Sequence, residues 1–153
     1  MSEPTEAPTT PFSALRTLPS WLLGRAGALG HRLVAERLAE LDCRMGHHAV
    51  LCAVAEFGPL AQAELARTVR IDPKDLVGVL NELQARELVR REKDPRDARK
   101  NAIVLTPAGA DLLARLTALL GQANEELLAP LDPAEQAQLL ALVTRVIEGR
   151  VQG

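Results

Sequence analysis

Residues 88–109, LVRREKDPRDARKNAIVLTPAG, decide how the rest of the chain is read. Leu88-Val89 at one end and Ile103-Val104-Leu105 at the other are strand-forming, and the run from Arg90 to Lys100 between them is almost wholly charged. Two short apolar strands around a hydrophilic tip predict a β-hairpin. Thr106-Pro107 then restarts helix at once, because a threonine oxygen takes orphan amides of a first turn and proline has no amide to lose there. Upstream, Asp72-Pro73 gives the same kind of start signal. Leu76, Val79, Leu80 and Leu83 follow at helical spacing, predicting a helix from about 73 to 86 with one buried face. Asp75 stands where a reciprocal capping contact would fall. A shorter helix over 61–68 precedes, separated by Val69-Arg70-Ile71. Helix, turn, capped helix and hairpin in that order make a helix-turn-helix with a β-wing. Such a unit can insert its second helix in a DNA major groove and lay the hairpin across backbone and minor groove.

Longer helices flank this unit. Leu22, Ala26, Leu29, Leu33, Arg37 and Leu41 predict a helix over about 19–41. Gly24, Gly27 and Gly30 within it either let another helix approach closely or mark a soft segment. Met45, Ala49, Val50, Ala53 and Val54 predict a helix over 45–56, stopped by Gly58-Pro59. After the hairpin, an apolar stripe from Leu112 to Leu128 predicts a helix to about 129, and Asp132-Pro133-Ala134-Glu135 caps a last helix running through about 148. The outer stripes are too apolar for a compact three-helix unit, so a partner subunit is expected to cover them, and a polar change at Leu116 is expected to break that assembly. The fold class is mainly α with a small β-wing: a winged helix-turn-helix flanked by N- and C-terminal dimerisation helices. Residues 1–17, rich in Pro, Thr and Glu, are expected to form a flexible tail. An N-terminal dimerisation helix over 18–44, a DNA-binding domain over 45–106 and C-terminal dimerisation helices over 107–150 complete the division.

The composition excludes several other classes. Of 153 residues, 47% are hydrophobic and 25% charged, the balance of a soluble globular domain, and Leu and Ala, both strong helix formers, supply 51 positions. No uncharged apolar run is long enough to span a membrane, and Glu3, Glu6 and four prolines in the first 20 residues do not suit a secretory leader. Cys43 and Cys52 cannot make a disulfide framework, so a reduced, cytoplasmic setting is expected. Net charge is -2, yet residues 67–100 hold ten Lys/Arg against seven Asp/Glu, a basic island that suits local contact with a polyanion. No activated serine, useful carboxylate pair or phosphate-binding glycine loop is present, so the chain is not expected to be an enzyme or to carry a cofactor.

Residues 61–113, AQAELARTVRIDPKDLVGVLNELQARELVRREKDPRDARKNAIVLTPAGADLL, resemble the MarR family of winged helix-turn-helix transcriptional regulators. The resemblance extends over about 18–148. It is most specific where strand, Asp-x-Arg-Asp-x-Arg tip, strand and Thr-Pro-x-Gly helix start occur together. It implies a homodimer with intertwined first and last helices, and two winged domains on successive major grooves of a pseudo-palindromic operator. It also implies repression relieved by a small aromatic or phenolic acid, or by oxidation of a cysteine.

On the second helix of the motif, Lys74 is expected to meet a guanine edge or a phosphate, Asn81 a base, and Val77 or Pro73 a thymine methyl. Gly78 departs from the arginine that many relatives carry near that position. At the wing tip, Arg96 is assigned to the minor groove. In the family pattern Asp94, Asp97 and Arg99 resemble the carboxylate–guanidinium set that shapes the wing, and Arg99 either holds that turn or reads DNA. Arg90, Lys100 and Arg70 are expected at phosphates.

For an acidic aromatic effector, Arg16 or Arg25 offers a cation, Trp21 a wall, and His47 a partner for a phenolic oxygen. Two further readings stay open. One is a thiol-responsive regulator: Cys43, beside Arg44, is the better candidate thiol, although the tyrosines that support peroxide sensing in relatives are absent. The other is a winged-helix module that binds protein rather than DNA. A metal site is not expected, since Cys43 and His47 form only an i,i+4 pair and adjacent His47 and His48 diverge around a helix.

Overall fold

The computed structural model describes residues 11–151, so the first ten residues of the expected tail lie outside it. The rest of that segment is not all coil: Pro11–Leu15 forms a short helix, α1, opened by proline and closed by Thr17 Oγ1 donating to the Ala14 carbonyl at 2.8 Å. Helix ends differ from expectation by at most three residues, and the two hairpin strands extend five and six residues further toward the tip. The remaining elements otherwise follow the expected order, apart from one added two-residue strand. They are α2 (Pro19–Ala39), α3 (Met45–Phe57), β1 (Leu60–Ala61), α4 (Gln62–Val69), α5 (Pro73–Ala85), β2 (Val89–Asp94), β3 (Asp97–Leu105), α6 (Pro107–Leu128) and α7 (Pro133–Val151).

The small sheet has the order β1-β3-β2 and is antiparallel throughout. Val89 pairs with Leu105 and Lys93 with Asn101, and the register shifts between Lys93 and Asp94, so that Asp94 faces Asp97 at the tip. β1 was not expected: Leu60 and Ala61 pair with Ile103 and Ala102 and seat the hairpin against the start of α4.

The core lies where helices α2 to α6 meet the base of the hairpin. It is built from Leu38, Val50, Leu51, Val54, Leu65, Leu76, Leu80, Leu83, Val89, Ile103, Leu112 and Leu116. The four apolar residues anticipated on α5 all face inward. On α3 Val50, Ala53 and Val54 of the expected face are buried, joined by His47 and Leu51, while Met45 is exposed. Leu116 needs a correction too. Its side chain is 0% exposed within the single subunit, so a polar group there would disrupt the subunit's own core.

Of the glycines in α2, Gly30 alone meets another helix. A Cβ there would lie 3.0 Å from a Leu127 methyl of α6, whereas Gly24 and Gly27 have nothing within 4 Å. Arg37 reinforces the same contact through Glu126 at 3.3 Å. α7, by contrast, has no fully buried residue with a described side chain, and Leu140, Leu142, Val146 and Ile147 stand exposed along it. None of the described helices is long and apolar enough to cross a membrane.

Candidate nucleic-acid interface

α5 begins as its sequence dictates. Asp72 Oδ1 accepts the Lys74 amide at 2.8 Å, and Pro73 takes the first helical position. Among the described residues Asp75 returns no reciprocal bond; the reciprocal box occurs instead at α7, where Asp132 and Glu135 exchange bonds of 3.0 and 2.9 Å. With Leu76, Val79, Leu80 and Leu83 buried, the opposite face presents Pro73, Lys74, Val77, Gly78 and Asn81 to solvent. Neither the Lys74 nor the Asn81 side chain carries a hydrogen bond among the described residues, so both donors are available. Gly78 leaves a flat place on this face, with nothing within 4 Å of where a Cβ would stand.

The hairpin adjoins this helix through side chains. Arg91 of β2 donates to Gln84 of α5, and also to Gln62 of α4 at 3.3 Å. At the tip, the two arginines differ in how firmly they are held, and Arg96, expected in the minor groove, is the more anchored of the two. Arg96 is the one that holds the wing. Its amide reaches Asp94 Oδ1 at 2.8 Å, its Nε the same oxygen at 3.3 Å, and its Nη2 reaches Glu64 Oε2 on α4 at 2.9 Å. Asp94 is buried at the centre of this set, held below the usual carboxylate range by the Arg96 amide and then its guanidinium. Glu64 is held low by the Arg96 guanidinium and then the Ala61 amide, which it accepts at 3.1 Å in the first turn of α4. Among the described residues the Arg99 side chain pairs only with Asp97, at 3.2 Å, and it is 92% exposed. A lone ion pair this exposed constrains little, so Arg99 is the tip guanidinium able to swing outward.

The remaining expected phosphate contacts are all at the surface. Arg90 pairs with Glu92 at 2.7 Å, Lys100 is exposed near the tip, and Arg70 ends α4 in the left-handed conformation. Glu64 escaped the sequence reading because its partner lies 32 residues away and no local pattern links them.

Of the four residues expected to hold an effector, Trp21 and Arg25 are paired and His47 is committed elsewhere. Arg25 stacks over Trp21 at 5.6 Å, and Arg16 is exposed before α2. His47 is a correction. Its side chain is only 4% exposed, its Nδ1 accepts the Arg44 amide at 3.1 Å, and its Nε2 lies 2.6 Å from Glu82 Oε2. With one nitrogen accepting, the ring donates to the carboxylate through the other and has no group left for a ligand. Arg44, expected to activate Cys43, turns instead to Glu82 at 2.6 Å. Cys43 is buried and donates to the Leu41 carbonyl at 3.4 Å, while burial and then Glu56 push the Cys52 thiol up. No group of three or more metal-ligating side chains occurs among the described residues.

This arrangement of helices and wing matches known proteins. A model of the MarR family matches residues 44–100. The structure of apo wild-type MarR from E. coli superposes with a TM-score of 0.74 at 28% identity, over 84% of this chain and 96% of that one. The chain belongs to the MarR family. The HTH-type transcriptional repressor NicR of Pseudomonas putida is 36% identical to it over 98 residues, 64% of this chain. The chain spans 62% of the length of NicR in that match. Bordetella bronchiseptica BpsR, a protein whose DNA binding is regulated by 6-hydroxynicotinic acid, superposes with a TM-score of 0.72 at 25% identity, over 86% of this chain and 94% of BpsR.

Proposed function

We propose that this MarR-family chain is a dimeric DNA-binding transcriptional regulator. Each subunit sets α5 in a major groove and lays its wing tip on the adjoining minor groove. The observation that carries this reading is the pairing of an outward α5 face, bearing Lys74, Val77 and Asn81, with the exposed guanidinium of Arg99 on a hairpin tied to that helix. Lys74 and Asn81 suit base edges and Val77 a thymine methyl, while Arg90, Lys100 and Arg70 suit phosphates. The dimer is supported by the uncovered apolar faces of α1, α2 and α7, where Phe12, Leu15, Leu22, Leu140, Val146 and Ile147 are exposed. Binding across a promoter would repress by excluding polymerase.

The effector we assign is a small aromatic acid. BpsR, with its hydroxylated pyridine carboxylate, supports this class. In this chain the Trp21–Arg25 pair on α2 supplies an aromatic face and a cation, and Arg16 a second cation. A thiol switch has less support, because Cys43 is shielded and the Cys52 thiol is pushed up rather than activated.

The test of DNA binding is selection of random duplexes by the wild-type protein, followed by titration at several salt concentrations. Enrichment of a two-fold symmetric sequence, with affinity falling steeply as salt rises, is expected. No enrichment and no binding at low salt would favour the protein-binding module. For the effector, a thermal-shift screen of aromatic carboxylates should yield a compound that also weakens DNA binding over the same concentration range.

The two wing arginines separate cleanly by experiment. Arg99→Ala should weaken binding to the selected duplex about tenfold and reduce the salt slope by about one, with amide exchange in the wing unchanged. Arg96→Ala should also weaken binding, but with faster amide exchange across residues 94–97, because its anchor to Asp94 and Glu64 is gone. Loss of affinity in Arg96→Ala with an unchanged exchange pattern would return Arg96 to the groove.

A further inference from the structure

We infer that Glu82 is a positioning residue for DNA reading: with Arg86 it locks the C-terminal part of α5 to the α2–α3 junction, and so sets the angle at which Lys74, Val77 and Asn81 are presented. The inference rests on the DNA-binding reading above and adds to it a determinant of selectivity that lies away from the reading face.

Two side chains one helical turn apart leave α5 for the same short segment. Glu82 Oε2 accepts from Arg44 Nη2 at 2.6 Å and from His47 Nε2 at 2.6 Å. Arg86, which follows the last residue of α5, donates through Nη1 to the Asp42 carbonyl at 2.8 Å and through Nη2 to the Leu41 carbonyl at 3.1 Å. Its Nη1 also lies 3.7 Å from Cys43 Sγ. Residues 41–44 and 47 thus receive one anionic and one cationic anchor from the reading helix. Those carbonyls belong to the turn that ends α2, where Asp42 adopts a left-handed φ of 53°.

The lock is directional. His47 is buried with Nδ1 committed to the Arg44 amide, so its second nitrogen must donate, and Glu82 is the acceptor in reach. Removing that acceptor strands a buried donor, which costs more than an ordinary hydrogen bond contributes. Glu82 itself is half exposed and is not needed to fill the core. Arg44, and after it His47, hold the Glu82 carboxyl below the usual carboxylate range, so it remains ionised and paired at neutral pH. A carboxylate on a DNA-reading helix would otherwise oppose the phosphates. Here Arg44 compensates it.

The test uses the duplex selected by the wild-type protein and a scrambled duplex of equal length. Glu82→Ala should lower the ratio of their affinities about tenfold while binding to the scrambled duplex at low salt changes less than about twofold, because phosphate contacts tolerate a tilt that base contacts do not. Glu82→Gln should restore most of the ratio, since its amide oxygen still accepts from both donors. Arg44→Ala, at an exposed position, should shift the ratio in the same direction without threatening the fold. An unchanged ratio in Glu82→Ala, or equal losses in the Ala and Gln variants, would overturn the inference and leave DNA binding standing. Failure of the wild-type protein to enrich any sequence would overturn both. In the protein without DNA, nitrogen NMR of the three histidines should show His47 carrying its proton on Nε2, and a proton on Nδ1 instead would also overturn the lock.

Discussion

Glutamate at both Leu140 and Val146 of α7 is expected to yield a folded monomer that no longer holds a two-half-site duplex. α7 buries nothing fully against its own subunit among its described side chains, while Leu139, Leu140, Leu142, Val146 and Ile147 stand exposed along it. Covering side chains of this size is worth about 1.5–3 kcal/mol each, and a two-fold interface counts every one twice. Glutamate would instead place an unpaired charge in that contact, at a cost that exceeds the lost apolar burial. The core of Leu38, Leu51, Leu80, Ile103 and Leu116 does not include these positions, so helix content should persist. Separating the subunits removes the high effective concentration of the second half-site, and affinity should fall by roughly a thousandfold. Sedimentation velocity reads the assembly and titration of the selected duplex reads the loss. A monomeric wild-type protein, or a doubly substituted protein that remains dimeric, would remove α7 from the interface.

The second large effect is on folding. Gly109 sits in the first turn of α6, where a Cβ would stand 2.1 Å from the Leu88 carbonyl oxygen and 2.8 Å from a Leu105 methyl. The first of these obstacles is backbone and cannot rotate away. It is fixed in turn: Leu88 O accepts the Thr106 amide at 3.1 Å, and Thr106 Oγ1 donates to Glu87 O at 2.7 Å while accepting the Gly109 amide at 3.0 Å. Gly109→Ala must therefore pry α6 from the base of the hairpin. A destabilisation of about 3 kcal/mol is expected, at the upper end for overpacking, equivalent to a fall of about 9 °C in Tm for a chain of this size. Gly78→Ala, where a Cβ meets nothing, is the control and should not destabilise. Thermal melting followed by circular dichroism checks both, and equal Tm values would mean that the α6–hairpin contact is looser than described.

What could be read from sequence was what neighbouring residues decide among themselves. Asp72-Pro73 and Thr106-Pro107 name their helices because capping is local. The strands around residues 90–100 announce themselves by a change of period. Strand β1 was missed because two residues, Leu60 and Ala61, are too few to show any period, and only pairing with β3 makes them a strand. Leu116 was placed at a subunit interface because α6 is apolar over a wide arc, and composition alone does not say which part of the arc its own core covers.

The candidate site was legible in outline and not in its internal roles. The exposed face of α5 follows from the spacing of Leu76, Val79, Leu80 and Leu83. The anchoring of Arg96 depends on Glu64, and the closure of His47 on Glu82, partners 32 and 35 residues distant in sequence. Such pairings arise from the tertiary path of the chain. The Asp-x-Arg-Asp-x-Arg tip gave the residue types and left open which guanidinium is anchored.

The most direct test is a hydroxyl-radical footprint of the wild-type protein on its selected duplex. Two protected patches related by two-fold symmetry, their centres about one helical turn apart and each extending into a minor groove, are the expected result. Protection in the minor groove should disappear in Arg99→Ala while the major-groove contacts remain. A single asymmetric patch, or a protected minor groove that survives loss of Arg99, would contradict a pair of α5 helices and wings acting together on one stretch of DNA.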